Sequence, residues 1–131
     1  MVLIDTSAWI EYLRRTGSDI NIAVRELIEE GTPIATTDVV IMELLSGANT
    51  SERRGQVWAL LNRCTMFPVR PLFEYERAAE LYVRCRSIGF TPSNTNDLLV
   101  ASVAIAKKVP VLASDSDFER IAAVSSLKLV A

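Results

Sequence analysis

The chain has 131 residues, half of them apolar, enough for one substantial core, and its 14 basic and 16 acidic residues leave a net charge of −2. It contains no histidine, which removes histidine general bases, Ser-His-Asp triads and histidine-ligated zinc together. Hydrolytic chemistry would have to lean on carboxylates, and the charge balance lacks the basic excess usual in nucleic-acid-binding domains. No apolar run approaches the roughly 18 residues of a membrane helix, and Met1 leads straight into Val2-Leu3-Ile4-Asp5 without a charged leader. The expectation is a single domain over residues 1–131, cytoplasmic, with no membrane attachment. Cys64 and Cys85 have neither zinc-ligand spacing nor disulfide density and read as reduced packing residues.

In chain order, Val2 to Ile4 is a short apolar strand ending in Asp5-Thr6-Ser7, and a helical pattern runs from Ala8 through Leu13. Ser18 is a good N-cap for a second helix, whose Ile20, Ala23, Val24, Leu27 and Ile28 repeat at helical spacing until Gly31 stops it. Thr32-Pro33 opens a second strand, Ile34 to Thr36, and Thr37 or Asp38 caps a third helix running to Leu45 and ending at Gly47. Polar Asn49 to Arg54 is predicted as loop, followed by a helix to about Arg63 and a proline-bounded strand, Met66 to Val69.

Phe73 to about Ile88 is an amphipathic helix with Ala78, Leu81, Tyr82 and Cys85 inward, and Gly89 to Asn94 is a loop. Leu98 to Ala106 is almost uniformly apolar, hence a buried helix; Val109 to Ala113 is a strand, Asp117 begins a short helix, and Leu127 to Val130 is a last strand. This alternation implies a parallel sheet covered by helices on both faces, with binding sites beyond the carboxyl ends of the strands at a switch point.

Four carboxylates stand out. Asp5 and Asp115 each follow a strand directly, on the rim where such folds bind ligands. Taken singly, each is explained as a turn or cap residue. Glu43 interrupts an otherwise apolar stretch, Val39-Val40-Ile41-Met42 before it and Leu44-Leu45 after it, where an unpaired buried charge is costly; its ordinary explanation is a narrow polar helix face. Asp97 opens the most apolar helix, where a favourable charge on the helix dipole explains it alone. Convergence of all four on one rim would require a divalent cation to offset their repulsion, and a hard ion with oxygen ligands, Mg²⁺ or Mn²⁺, fits. Such an ion activates water and neutralises phosphate charge, so phosphodiester hydrolysis needs no histidine.

The segments Ile4-Asp5-Thr6-Ser7-Ala8-Trp9, Glu43-Leu44 followed by Gly47, Asn96-Asp97-Leu98-Leu99-Val100-Ala101 and Ser114-Asp115-Ser116-Asp117-Phe118 resemble the four signature segments of VapC-type PIN-domain toxins, in order, spacing and overall length. The resemblance implies a three-layer α/β/α PIN-like domain with a mostly parallel five-stranded sheet. It further implies an Mg²⁺- or Mn²⁺-dependent endoribonuclease acting on RNA, a homodimer, and inhibition by a small VapB-type antitoxin inserting near the site. Carried over by position, Asp5, Glu43, Asp97 and Asp115 become metal ligands and catalytic residues, while the hydroxyls of Thr6, Ser7 and Ser114 hold carboxylates in place. Asp117 stays open between a second-ion ligand and a helix N-terminal residue.

Eleven of the 14 basic residues are arginine, suited to bidentate phosphate contact, and Arg14, Arg15, Arg53, Arg54, Arg84 and Arg86 are candidates for the RNA backbone. Two other functional classes compete. A catalytically inactive PIN-like RNA- or metal-binding module is disfavoured by the four intact acids. A metal-dependent phosphatase or a metal-ion adhesion site shares the Asp5-Thr6-Ser7 start, but the first needs an aspartate where Ser7 stands and the second a serine where Trp9 stands.

Overall fold

The structure is a computed structural model that describes residues 1–130; Ala131, included in the single-domain expectation, lies outside the described residues. The apolar runs Val2–Ile4 (β1) and Ile34–Thr36 (β2) form central strands with every residue buried. Successive strand residues point to opposite faces, so complete burial means that both faces are covered, the middle layer of an α/β/α arrangement. Thr65–Met66 (β3) is exposed and short, as an edge strand must be to discourage further pairing. Val111–Leu112 (β4) is buried.

All strand pairs are parallel, in the order β3-β2-β1-β4, with Val2 opposite Ile34 and Ile4 opposite Leu112. From β1 the chain moves outward through β2 to β3, then returns to the other side of β1 as β4. The strand order therefore reverses between β1 and β4, and the crevice beyond their carboxyl ends is the switch point.

The helices are Thr6–Leu13 (α1), Asp19–Glu29 (α2), Asp38–Ser46 (α3), Ser51–Leu61 (α4), Phe73–Ser87 (α5), Thr95–Lys107 (α6) and Asp117–Ala123 (α7). Helix α1 packs on α2, and α5 packs on α6. As its composition requires, α6 is buried continuously from Asp97 to Ala104. Trp9, Phe118, Leu3, Ile4 and Leu98 are among the largest fully buried side chains and fill the space around β1 and β4. No described helix is long and apolar enough to cross a membrane. Cys64 and Cys85 are both free, half-buried and buried respectively.

Several boundaries differ from the sequence expectation, each for a local reason. The fifth strand shrinks to one parallel bridge, Val111 with Leu129, so four strands stand where five were expected. Strand β4 is itself only two residues long, and Val111 uses its N–H on the Lys128 carbonyl and its carbonyl on the Val130 N–H, which exhausts the ladder. The expected strand Met66 to Val69 ends early, because Pro68 has no N–H to donate and Val69 donates instead to Asp38 Oδ1 at 3.0 Å. Helix α4 begins at Ser51, inside the expected loop. Thr50 caps it by accepting from the Arg53 N–H at 3.1 Å, and its first turn is wholly exposed, so no apolar periodicity marked it.

Candidate active site

Asp5 leaves β1 as the N-cap of α1, in an extended conformation, with its N–H still on the Leu112 carbonyl of β4. Its Oδ2 accepts from the Ser7 N–H at 3.0 Å and from Ser7 Oγ at 2.7 Å. The cap thus fixes the carboxylate to the start of the helix, and its other oxygen, Oδ1, is buried without any donor. Ser7 Oγ in turn accepts from the Ser114 N–H at 2.9 Å, joining the ends of β1 and β4.

Glu43, on α3, is half-buried and does not sit naked in the core. Thr6 Oγ1 donates to its Oε1 at 2.8 Å, and Asn94 Nδ2 reaches its Oε2 at 3.5 Å. Asp97 lies in the first turn of α6, which Asn94 caps through the Asn96 N–H, and is 4% exposed. Its Oδ2 is a second buried carboxylate oxygen with no donor. Carboxyl oxygens of Asp97, Asp115 and Asp117 lie within 4.8 Å of one another. Asp115 Oδ1 accepts from the Asp117 N–H at 2.9 Å, and Asp117 Oδ2 accepts from Ser93 Oγ at 3.2 Å.

The electrostatics record the same convergence. Burial pushes the Asp97 carboxyl up to about 8, helped by a hydrogen bond with Asp115 and by the charges of Asp5, Asp115 and Glu43. Burial also raises Asp5, and its hydrogen bonds to Ser7 work against this while the charge of Glu43 adds to it. Four carboxylates thus crowd one another at the switch point, with two buried oxygens left without donors. A divalent cation with oxygen ligands meets both conditions: it offsets the repulsion and occupies the orphaned oxygens. The donor set therefore fits such an ion.

The structure places the eight residues singled out in the sequence as follows. Asp5, Glu43, Asp97 and Asp115 converge, Asp117 adjoins Asp97 and Asp115, and Thr6 and Ser7 hold Glu43 and Asp5. Ser114 differs. Its hydroxyl faces Glu11 Oε1 at 3.4 Å, and its link to the site runs through its backbone N–H on Ser7. The sequence reading passed over Ser93 and Asn94, which reach Asp117 and Glu43 from the loop before α6. The signal was the run Ser93-Asn94-Thr95-Asn96-Asp97, which reads as a helix N-terminus with spare polar side chains.

Residues 2–124 match the PIN domain family model. The chain is 37% identical over 129 residues to Ribonuclease VapC11 of Mycobacterium tuberculosis, covering 98% of this chain and 96% of that protein. Among solved structures, it is similar to VapBC-5 of Mycobacterium tuberculosis, a member of the VapBC family of toxin-antitoxin systems, with TM-score 0.67 and 27% identity over 98% of this chain and 95% of that one. The fold is also that of VapBC2 from Rickettsia felis bound to a DNA fragment from its promoter, at TM-score 0.73 and 24% identity over 99% of this chain and 98% of that one. The acids at the switch point, the matched family model and the identity to a ribonuclease along nearly the whole chain agree, and the chain belongs to the PIN-domain family, among the VapC ribonucleases.

Proposed function

We propose that this chain is a metal-dependent endoribonuclease, the toxin of a toxin-antitoxin pair, whose Asp5, Glu43, Asp97 and Asp115 hold Mg²⁺ or Mn²⁺ and whose Asp117 reaches a second ion. The observation that carries this reading is the pair of buried, donorless carboxylate oxygens, Asp5 Oδ1 and Asp97 Oδ2, at the strand-order reversal. A bound ion of this class supplies an acidified water and charge neutralisation on the phosphate.

The chain's own residues prepare that chemistry. Ser7 aims Asp5, Thr6 aims Glu43, and the Asp117 N–H turns Asp115 toward Asp97. Such supporting hydrogen bonds fix carboxylate orientation and are worth about 10- to 100-fold in metal affinity or activity. Asp97, protonated up to about pH 8 without an ion, must release its proton to act as a ligand, so metal affinity rises with pH. Full burial of Asp5 and Asp97 keeps bulk water from their inner oxygens.

The purified protein, freed of any bound partner, should cleave RNA with Mg²⁺ or Mn²⁺ and stop on addition of EDTA. Undiminished cleavage in chelator rejects the mechanism, and RNA or metal binding without cleavage would identify the inactive module instead. The same reading assigns the chain as one domain acting in the cytoplasm, with a small VapB-type antitoxin that blocks the acidic rim. It also assigns a homodimer, supported by the apolar surface that Leu72, Tyr75, Val83 and Ile88 leave exposed in one copy. Light scattering of the purified protein tests the dimer; a monomer rejects it.

A further inference from the structure

The acids account for the scissile phosphate but not for the rest of an RNA strand, which brings one negative charge per nucleotide to a protein of net charge −2. Binding then requires cations placed along the strand's path. A groove of about 350 Å³ opens beside the site with Glu43 in its wall, formed by α1, α3 and α4. Arg14 and Arg53 stand on its two sides, both exposed, and Ile10 and Leu44 give it an apolar lining.

A second groove, of about 640 Å³, shares Leu13 and Gln56 in its wall with the first and so adjoins it along α1 and α4, a trough in two parts. Arg15, Arg25 and Arg63 line this outer part. None of the five arginines is in an ion pair: among the described residues only Arg70 with Glu74 is. Arg53 touches the Asn49 side-chain carbonyl at 3.3 Å and Arg25 that of Asn21 at 2.8 Å, both neutral partners.

Guanidinium groups without a carboxylate partner keep their donors free for the oxygens of a phosphate, which they bind in a bidentate fork. Arg84, by contrast, lines a cavity between α5 and α6 that contains none of the site acids. We propose that the trough between α1 and α4 is the track of a single-stranded RNA segment. Arg14 and Arg53 hold the phosphates next to the scissile one, and the apolar lining takes the bases. This rests on the nuclease reading above and adds to it the path of the substrate and the residues that set it. A protein segment could fill an apolar groove, but five arginines without ion-pair partners along the two grooves match a polyanion better.

The test uses a fluorescein-labelled single-stranded RNA of mixed sequence, bound in Mg²⁺ across a salt series to the full chain carrying Asp97→Asn, so that it is not cleaved. Adding Arg14→Gln with Arg53→Gln should flatten the plot of log affinity against log salt by about 1.4, since each phosphate contact on a single strand contributes about 0.7. Arg84→Gln with Arg86→Gln should leave the slope unchanged, and Arg14→Lys with Arg53→Lys should restore most of it because charge is kept. With the site acids intact, the Arg14→Gln, Arg53→Gln protein should show a KM for RNA raised about tenfold or more with kcat little altered. An unchanged slope in a folded double variant overturns the assignment and gives the trough to a protein segment. A flattened slope combined with no cleavage by the unmodified protein in Mg²⁺ or Mn²⁺ would instead keep the track and reject the nuclease.

Discussion

Thr6 donates its hydroxyl to Glu43 Oε1 across 2.8 Å, tying the first turn of α1 to the middle of α3 although the two residues are 37 positions apart in sequence. Each is useful only because of the other: Glu43 is half-buried beside apolar neighbours and needs a donor, and the Thr6 hydroxyl has little water to turn to. Thr6→Val keeps the shape and removes the donor. It should lower cleavage about 10- to 100-fold at limiting Mg²⁺, with thermal stability nearly unchanged and Thr6→Ser close to normal. Full activity in the valine variant would show that Glu43 needs no such support.

Asp97 makes the metal-free protein sensitive to pH with a definite sign. Its folded carboxyl titrates at about 8, far above an ordinary aspartate, so across that window the folded chain binds a proton that the unfolded chain releases. Stability in EDTA should therefore fall as pH rises from about 4 to about 8, and Asp5, shifted the same way, adds to the trend. Asp97→Asn should flatten the curve and abolish cleavage while leaving the protein no less stable near neutrality. Melting temperatures of both proteins across this range decide it; a wild-type curve that rises with pH rejects the assignment.

Asp117 is the first residue of α7 and Ser116 occupies the cap position, so the carboxylate is not the cap. It faces Asp97 and Asp115 instead, held by Ser93. Asp117→Asn should raise the Mg²⁺ concentration needed for half-maximal cleavage with melting temperature nearly unchanged, whereas Asp115→Asn should abolish cleavage. An unaltered metal titration in the Asp117 variant removes it from the ion's neighbourhood.

Glu74 is buried at 1% exposure on α5, away from the acids, and receives Arg70 Nε at 2.8 Å and Ser102 Oγ at 3.3 Å. Burial alone would raise its carboxyl, but the hydrogen bonds and charge of Arg70 more than reverse this and hold it below the ordinary value. The pair therefore stabilises the fold above the ordinary carboxylate range, and that contribution is lost as pH falls through the lowered value. Arg70→Gln should lower the melting temperature at neutral pH, with the difference from wild type closing in acid, and leave cleavage unchanged at temperatures where the fold persists. A difference that persists at low pH would assign the effect to packing of the arginine stem instead.

Much of this protein was already legible in its residues. The apolar triplet Val2–Ile4 ending in Asp5, the uniform apolar face of α6 and the charge of Glu43 among aliphatic neighbours made the α/β alternation readable and marked the acids as candidates, because burial preference and helix or strand period are local properties of a chain. The exposed first turn of α4 and the loss of the fifth strand were not legible. The first carries no apolar period, and the second depends on β4 being only two residues long, so that Val111 alone pairs with the chain at Leu129.

Only the tertiary structure could decide which side chains share the switch point. Strand order β3-β2-β1-β4 brings Asp115 to the same end of adjacent strands as Asp5 across 110 residues of chain, and that same closure brings Ser93 and Asn94 from the loop before α6 onto Asp117 and Glu43. It also separates the arginines, setting Arg14 and Arg53 on the groove that holds Glu43 and Arg84 on another. Local sequence specifies which groups are polar and which helices are buried. Distances between groups far apart in the chain follow from how the sheet closes, and the orphaned oxygens of Asp5 and Asp97 exist only once it has.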